Sequence, residues 1–188
     1  MLKEKKLKVS EALALGLSNK AISEKLTIPI KTIERILNEL NKKFENKSKV
    51  YNPRVRLLAS LIYKEILDYE TENQPRFISD LNDNLNKTLI LSCIGFSNRA
   101  IARFFDLSEK AIELRFSQLF DYFNVDTKNQ TVVNPRVSLF ISAYCRGNIK
   151  RNQIQRLFKE SSVERLDNIF DQANTFLNSL QEEYKFIG

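Results

Sequence analysis

The stretch GLSNKAISEKL at residues 16–26, followed by KTIE at residues 31–34, decides the fold. Gly16 suits the end of one helix, and Ser18 suits the N-cap of a short helix that ends near Leu26. After a turn, apolar residues return at helical spacing and predict a further helix to about Phe44. The pattern therefore predicts a helix, a turn and a second helix.

The same pattern returns 79 residues later along the chain. Residues 95–119 match residues 16–40 at nine of 25 positions. After a three-residue insertion, residues 134–145 match residues 52–63 at six of 12 positions. The matches keep their order and fall on helix caps and apolar positions, which chance does not explain. We interpret the sequence as two copies of one four-helix unit.

The predicted fold class is all-α, with two tandem helix-turn-helix units and a C-terminal helical extension. The chain of 188 residues has only four glycines and four prolines, too few for a turn-rich β protein. We expect a first unit at 1–70, a linker at 71–80, a second unit at 81–147 and C-terminal helices at 148–188. The fourth helix of the first unit is expected to run to about Tyr69.

Positive charge is concentrated at one end of the chain. Residues 1–56 carry 14 Lys and Arg against 6 Asp and Glu, whereas residues 57–147 carry 10 against 11. Residues 148–188 carry six of each sign. A basic unit of this density favours a polyanionic partner, most often nucleic acid, although a solvated lysine-rich surface has the same composition.

Several classes of function find little support in the sequence. The chain has no histidine, no glycine-rich phosphate loop and no evident pair of catalytic carboxylates, so we expect no enzyme, metal or cofactor. Cys93 and Cys145 lack metal-site spacing and are expected to be buried thiols, with a redox pair as the alternative. No convincing signal peptide and no membrane-spanning apolar run are present, so we expect a cytoplasmic protein.

The motif resembles the DNA-binding helix-turn-helix of LuxR-type (GerE) bacterial transcription regulators. The similarity rests on Gly-Leu-Ser-Asn-Lys-x-Ile at residues 16–22 and on Lys-Thr-Ile at residues 31–33. The family's opening Leu falls on Leu2 in the first copy and on Leu81 in the second. The resemblance implies a transcription regulator that binds double-stranded DNA, with the third helix of the unit in the major groove.

The resemblance also implies which side chains meet DNA. In the first copy Arg35 would read guanine and Asn38 adenine, while lysines contact phosphates. The implied contacts of the first copy are Asn19, Lys20, Lys31, Thr32, Glu34, Arg35, Asn38, Lys42 and Lys43. Those of the second copy are Asn98, Arg99, Lys110 and Arg115. We expect the second copy to bind more weakly because its segment lacks excess positive charge.

Departures from the family pattern leave alternatives open. Glu34 and Glu113 stand where the family has a groove-facing Lys. A protein-interaction adaptor that holds another regulator or RNA polymerase is the alternative function. The two fourth helices could form an internal pseudo-dimer. The apolar stripe expected in the last helix, after Ser161 or Ser162, could instead pack on the chain's own core or pair two chains as a homodimer.

Overall fold

The computed structural model describes residues 2–44, 50–67, 81–149, 151–152 and 154–155. The regular structure among these residues is helical, so the predicted all-α class is confirmed. The first half contains α1 (Glu4–Ala14), α2 (Asn19–Leu26), α3 (Ile30–Lys43) and α4 (Pro53–Tyr63). The second half contains α5 (Asp83–Cys93), α6 (Asn98–Phe104), α7 (Glu109–Tyr122) and α8 (Pro135–Cys145).

Side-chain caps begin six of these helices, and Ser18 at α2 is a cap that the sequence predicts. The hydroxyl oxygens of Ser18, Ser97 and Ser108 each accept a backbone N–H three residues on, at 3.2, 3.3 and 3.2 Å. Asn52 and Asn134 cap α4 and α8 in the same way, and proline occupies the first turn of both helices. Capping of this kind satisfies N–H groups that have no partner within the helix.

The predicted end of the fourth helix near Tyr69 is wrong for α4, which stops at Tyr63. Glu65 adopts a left-handed backbone conformation with φ of 55°, and the N–H of Ile66 turns back to a carbonyl of α4 at 2.9 Å. At the equivalent position after α8, Gly147 has φ of 73°. Glycine announces such a helix end in a sequence, whereas glutamate does not.

The two halves pack together through their helices. Within this bundle α4 lies against α8, α1 against α8, and α4 against α5, so each contact has its counterpart in the other half. Leu58, Leu61 and Ile62 of α4 are fully buried. On α8 the rings of Phe140 and Tyr144 are also buried and stack at 6.0 Å. The shared core lies between α4 and α8.

Backbone hydrogen bonds join the halves twice in the same way. Ser18 donates its N–H to the carbonyl of Val132 at 2.8 Å, and Asn134 donates its N–H back to the carbonyl of Gly16 at 2.7 Å. The equivalent bonds on the other side run from Ser97 to Val50 at 2.7 Å and from Asn52 to Gly95 at 2.6 Å. Each helix-turn-helix is therefore held at its first turn by a loop of the other half.

Some predicted features lie outside the described residues. They include the linker at 71–80 and nearly all of the C-terminal helices at 148–188. Of the few residues described in that last segment, Ile149 and Ile154 are buried against the core. The predicted domain boundaries and a role of the C-terminal helices in dimerisation stay predictions. None of the helices in the described residues is both long enough and apolar enough to span a bilayer.

Candidate nucleic-acid interface

The turn between α2 and α3 fixes how α3 leaves the first half. Thr27 adopts a left-handed conformation with φ of 53°, which reverses the chain after α2. The hydroxyl of Ser23 donates to the carbonyl of Ile28 at 2.6 Å, and the N–H of Ile28 donates to the carbonyl of Ser23 at 3.1 Å. α3 then begins at Ile30, directly after Pro29. The turn is thus bonded to α2 from both sides.

One side of α3 is buried, and the other carries the predicted contacts. Ile33, Ile36, Leu37 and Leu40 lie in the core. The opposite side, which we call the α3 face, is exposed at six predicted residues and half-buried at Thr32. The six exposed residues are Lys31, Glu34, Arg35, Asn38, Lys42 and Lys43. The structure therefore brings together the residues that the sequence assigned to this helix.

The α3 face carries more positive than negative charge. Glu39, beside it, is held by α1, because Lys6 donates to its carboxylate at 2.9 Å. That hydrogen bond and the charge of Lys6 lower the pKa of Glu39. Arg35 lies 4.0 Å from the same carboxylate and is largely exposed. Because Glu39 pairs more closely with Lys6, it compensates little of the positive charge of Arg35, which can interact with a ligand.

An arginine outside the predicted set holds the amino terminus of α2. Arg54 of α4 donates one guanidinium nitrogen to the carbonyl of Leu17 at 3.2 Å and another to the side-chain oxygen of Asn19. Burial lowers the pKa of Arg54, but arginine remains charged in proteins. The sequence carried a signal for this residue, because Asn-Pro-Arg occurs in both copies, although we assigned Arg54 no role from it.

The second half repeats this pair of arginine hydrogen bonds, which we call the clamp, at the amino terminus of α6. Arg136 donates to the carbonyl of Phe96 at 2.9 Å and to the side-chain oxygen of Asn98 at 2.8 Å. Its guanidinium lies 3.7 Å from the ring centroid of Phe116, which is cation–π geometry. Burial lowers the pKa of Arg136 to about 9. Asn98 is therefore engaged as Asn19 is, through the oxygen of its amide.

The outward side of α7 differs from the α3 face. Lys110 and Glu113 are exposed, as is Arg99 on α6, but Leu114, at 63%, is the most exposed large apolar side chain among the described residues. Arg115, predicted as a DNA contact, is half-buried. Its guanidinium lies 4.5 Å from the ring of Phe105 and donates to the hydroxyl of Thr88 on α5 at 3.3 Å. Arg115 therefore contacts neighbours in its own half and lies away from the outward side of α7.

The cysteines lie in the second half and form no disulfide with each other. Cys93 is buried, and Cys145 is half-buried. Burial raises the pKa of the Cys93 thiol to about 12. Within the described residues no three His, Cys, Asp or Glu side chains cluster closely enough to hold a metal ion.

Comparison of the chain with protein-family models, with curated proteins and with solved structures found no match. The resemblance to LuxR-type domains therefore rests on the residues quoted from the sequence.

Proposed function

We propose that the protein is a DNA-binding transcription regulator with a LuxR-type helix-turn-helix in its first half. The observation that carries the proposal is the α3 face, which exposes Lys31, Arg35, Lys42 and Lys43 with Asn38 on one side of a helix. The charge excess of the whole chain lies in this half. A surface helix of this charge has the size and polarity that the major groove of DNA accepts.

In this proposal α3 reads bases from the major groove. Arg35 would donate two hydrogen bonds to a guanine, and the amide of Asn38 would pair with an adenine. Glu34 would accept from a cytosine amino group, and it would disfavour other bases because of its charge. Lys31, at the start of α3, would contact a phosphate that bounds the groove.

The amino terminus of α2 would meet the DNA backbone beside α3. Its first N–H groups point away from the helix, so they suit a phosphate oxygen. Lys20 is exposed in this first turn and adds a positive charge. Lys42 and Lys43 at the far end of α3 would contact the backbone on the other side of the groove.

We further propose that α1–α4 and α5–α8 are tandem copies of one unit that form an internal pseudo-dimer. The equivalent helix contacts and the two pairs of crossing backbone hydrogen bonds support this arrangement. The second half would then brace the first and add only weak DNA contacts, through the exposed side chains of Arg99 and Lys110. A homodimer through the C-terminal helices stays an alternative, and a measured solution mass distinguishes the two.

Selection of bound sequences from random double-stranded DNA tests the proposal. We expect enrichment of a short motif and binding that weakens steeply with salt. The same selection with Arg35→Ala should relax the preference at one base pair. Absence of detectable binding at low salt would reject the proposed function.

The exposed apolar side chains of α7 favour a second candidate function, a protein-interaction adaptor. Leu114 and Tyr122 are 63% and 37% exposed, and the charge of residues 57–147 is nearly balanced. Such a surface suits a protein partner better than DNA. Co-purification of a regulator or RNA polymerase that survives nuclease treatment, and is lost with Leu114→Glu, would support it.

A further inference from the structure

The clamp formed by Arg54 decides which end of the Asn19 amide faces outward. An arginine side chain only donates hydrogen bonds, so the atom of Asn19 that it meets must be the amide oxygen. The amide nitrogen, which carries two donors, is then turned away from Arg54. The side chain is half-buried and lies at the first position of α2, next to the exposed Lys20.

The neighbouring acceptors of this turn are also engaged within the molecule. The carbonyl of Leu17 accepts from Arg54 at 3.2 Å, and the carbonyl of Gly16 accepts from the backbone N–H of Asn134 at 2.7 Å. The hydroxyl of Ser18 donates to the carbonyl of Thr131 in the second half. The hydroxyl oxygen of Ser18 in turn accepts the N–H of Ala21 at 3.2 Å, so these acceptors of the turn are already used within the molecule.

We infer that Arg54 is a positioning residue for DNA binding, which holds the Asn19 amide with its N–H₂ group toward a DNA phosphate. The inference rests on the proposed function. Phosphate oxygens only accept hydrogen bonds, so an outward oxygen of Asn19 would repel them and an outward nitrogen binds them. Arg54 itself points its donors inward and acts through Asn19.

The second half supplies a matched control. Arg136 donates to the side-chain oxygen of Asn98 at 2.8 Å and to the carbonyl of Phe96 at 2.9 Å, so the local structure is equivalent. The segment around it has almost balanced charge, and the proposed function gives it little share in DNA affinity. A change at Asn98 should therefore affect folding as a change at Asn19 does, but not DNA binding.

The experiment is a double-mutant cycle on the full chain with Arg54→Lys and Asn19→Ala. The measurements are affinity for a mixed-sequence DNA duplex at low salt and stability in thermal denaturation. We expect Asn19→Ala to weaken binding by about three- to tenfold, the loss of one hydrogen bond. Arg54→Lys keeps the charge but loses the two-pronged geometry, so a comparable loss is expected. The double variant should bind no more weakly than Asn19→Ala alone.

Two further variants make the result decisive. Asn19→Asp should keep the hydrogen bond from Arg54 and fold at least as stably, but it should weaken DNA binding by about tenfold or more because it faces phosphate with an acceptor. Asn98→Ala should leave affinity unchanged. If Arg54→Lys does not fold, the inference can still be overturned, because it fails if the Asn19→Asp variant binds DNA as tightly as the wild-type chain. The inference would also be overturned if the affinity losses of Arg54→Lys and Asn19→Ala multiplied in the double variant. That result would leave the proposed function intact. If the wild-type chain does not bind DNA, both fail.

Discussion

The α3 face and the outward side of α7 occupy equivalent places in two similar halves, yet they carry different chemistry. Lys31 and Glu34 of α3 recur on α7 as Lys110 and Glu113. The other outward positions have changed, and the pairs are Arg35 and Leu114, Asn38 and Ser117, Lys42 and Asp121, and Lys43 and Tyr122. The second half therefore lacks counterparts of Arg35, Asn38, Lys42 and Lys43, to which the proposed function gives base and phosphate contacts.

The residues that cap helices and hold the turns show the opposite trend. The caps Asn52 and Asn134, the clamping arginines Arg54 and Arg136, and the turn glycines are retained in both copies. The scaffold is thus common to both halves, while the surface has diverged. In the proposed function, the second half accordingly serves to pack against the first.

The largest expected effect is on stability, at the paired turn glycines. At Gly95, with φ of +99°, an added Cβ would lie 2.8 Å from the Cα of Arg56. Gly95→Ala should lower the free energy of unfolding by about 4 kcal/mol, through backbone strain and overpacking together. At Gly16 the nearest atom is the hydroxyl oxygen of Ser138, which can rotate away. Gly16→Ala should therefore cost only about 1–3 kcal/mol of strain.

Urea denaturation of both glycine variants checks this difference. Equal losses would mean that the two turns are not held differently, and the account of their contacts would be wrong. Ser138→Ala serves as a control, because it removes the atom nearest to a Cβ at position 16. It should reduce the destabilisation caused by Gly16→Ala but not that caused by Gly95→Ala.

The next effect separates the two faces by DNA affinity. Arg35→Ala should weaken binding to a selected site by about 5- to 150-fold, which corresponds to 1–3 kcal/mol for a bidentate base contact. Leu114→Ala, its equivalent on α7, should leave affinity within about twofold. Fluorescence anisotropy with a labelled duplex measures both. A larger loss with Leu114→Ala than with Arg35→Ala would reverse the assignment of the two halves.

A gain of function sharpens the same comparison. Leu114→Arg combined with Asp121→Lys restores two basic side chains that α3 has at the equivalent positions. If the halves share one docking geometry, each new phosphate contact should steepen the slope of log affinity against log salt by about 0.9. An unchanged slope would show that α7 does not approach DNA in the complex.

The smallest effect concerns the cysteines of the second half. Cys145 is half-buried and should react first with iodoacetamide, whereas Cys93 should stay unmodified until the protein unfolds. The pKa of Cys93 is raised from the ordinary 9.0 to about 12. The unfolded chain releases this proton above about pH 9 and the folded chain retains it, so stability should fall as the pH rises beyond 9. Mass spectrometry after labelling at pH 7 and 9 checks the order of reaction.

Local sequence predicted much of the fold. Ser18, Ser97 and Ser108 cap the helices assigned to them, because a hydroxyl three residues before an unpaired N–H is a local feature. The end of α4 was missed because Glu65 adopts the conformation that Gly147 signals in the other copy. Helix ends of this kind depend on packing rather than on residue type.

The candidate interface was predictable only in part. The exposure of Lys31, Arg35 and Asn38 follows from helical periodicity, and the structure agrees. The contacts of Arg54 with α2 join residues 35 and 37 positions apart, and no periodicity reveals them. Arg115 was assigned outward by analogy, but Thr88 and Phe105 bind it because the second core offers an aromatic ring and a hydroxyl there.

The most direct test of the central claim is the salt dependence of DNA binding by the full chain. If Lys20, Lys31, Lys42 and Lys43 meet phosphates, the slope of log affinity against log salt should be about −3 to −4. Neutralising all four lysines to Gln should remove most of that slope. Changing three exposed basic residues of the second half, Arg99, Lys110 and Lys128, to Gln should leave it nearly unchanged. Binding that is independent of salt, or that depends equally on both sets, would contradict DNA recognition by the first half.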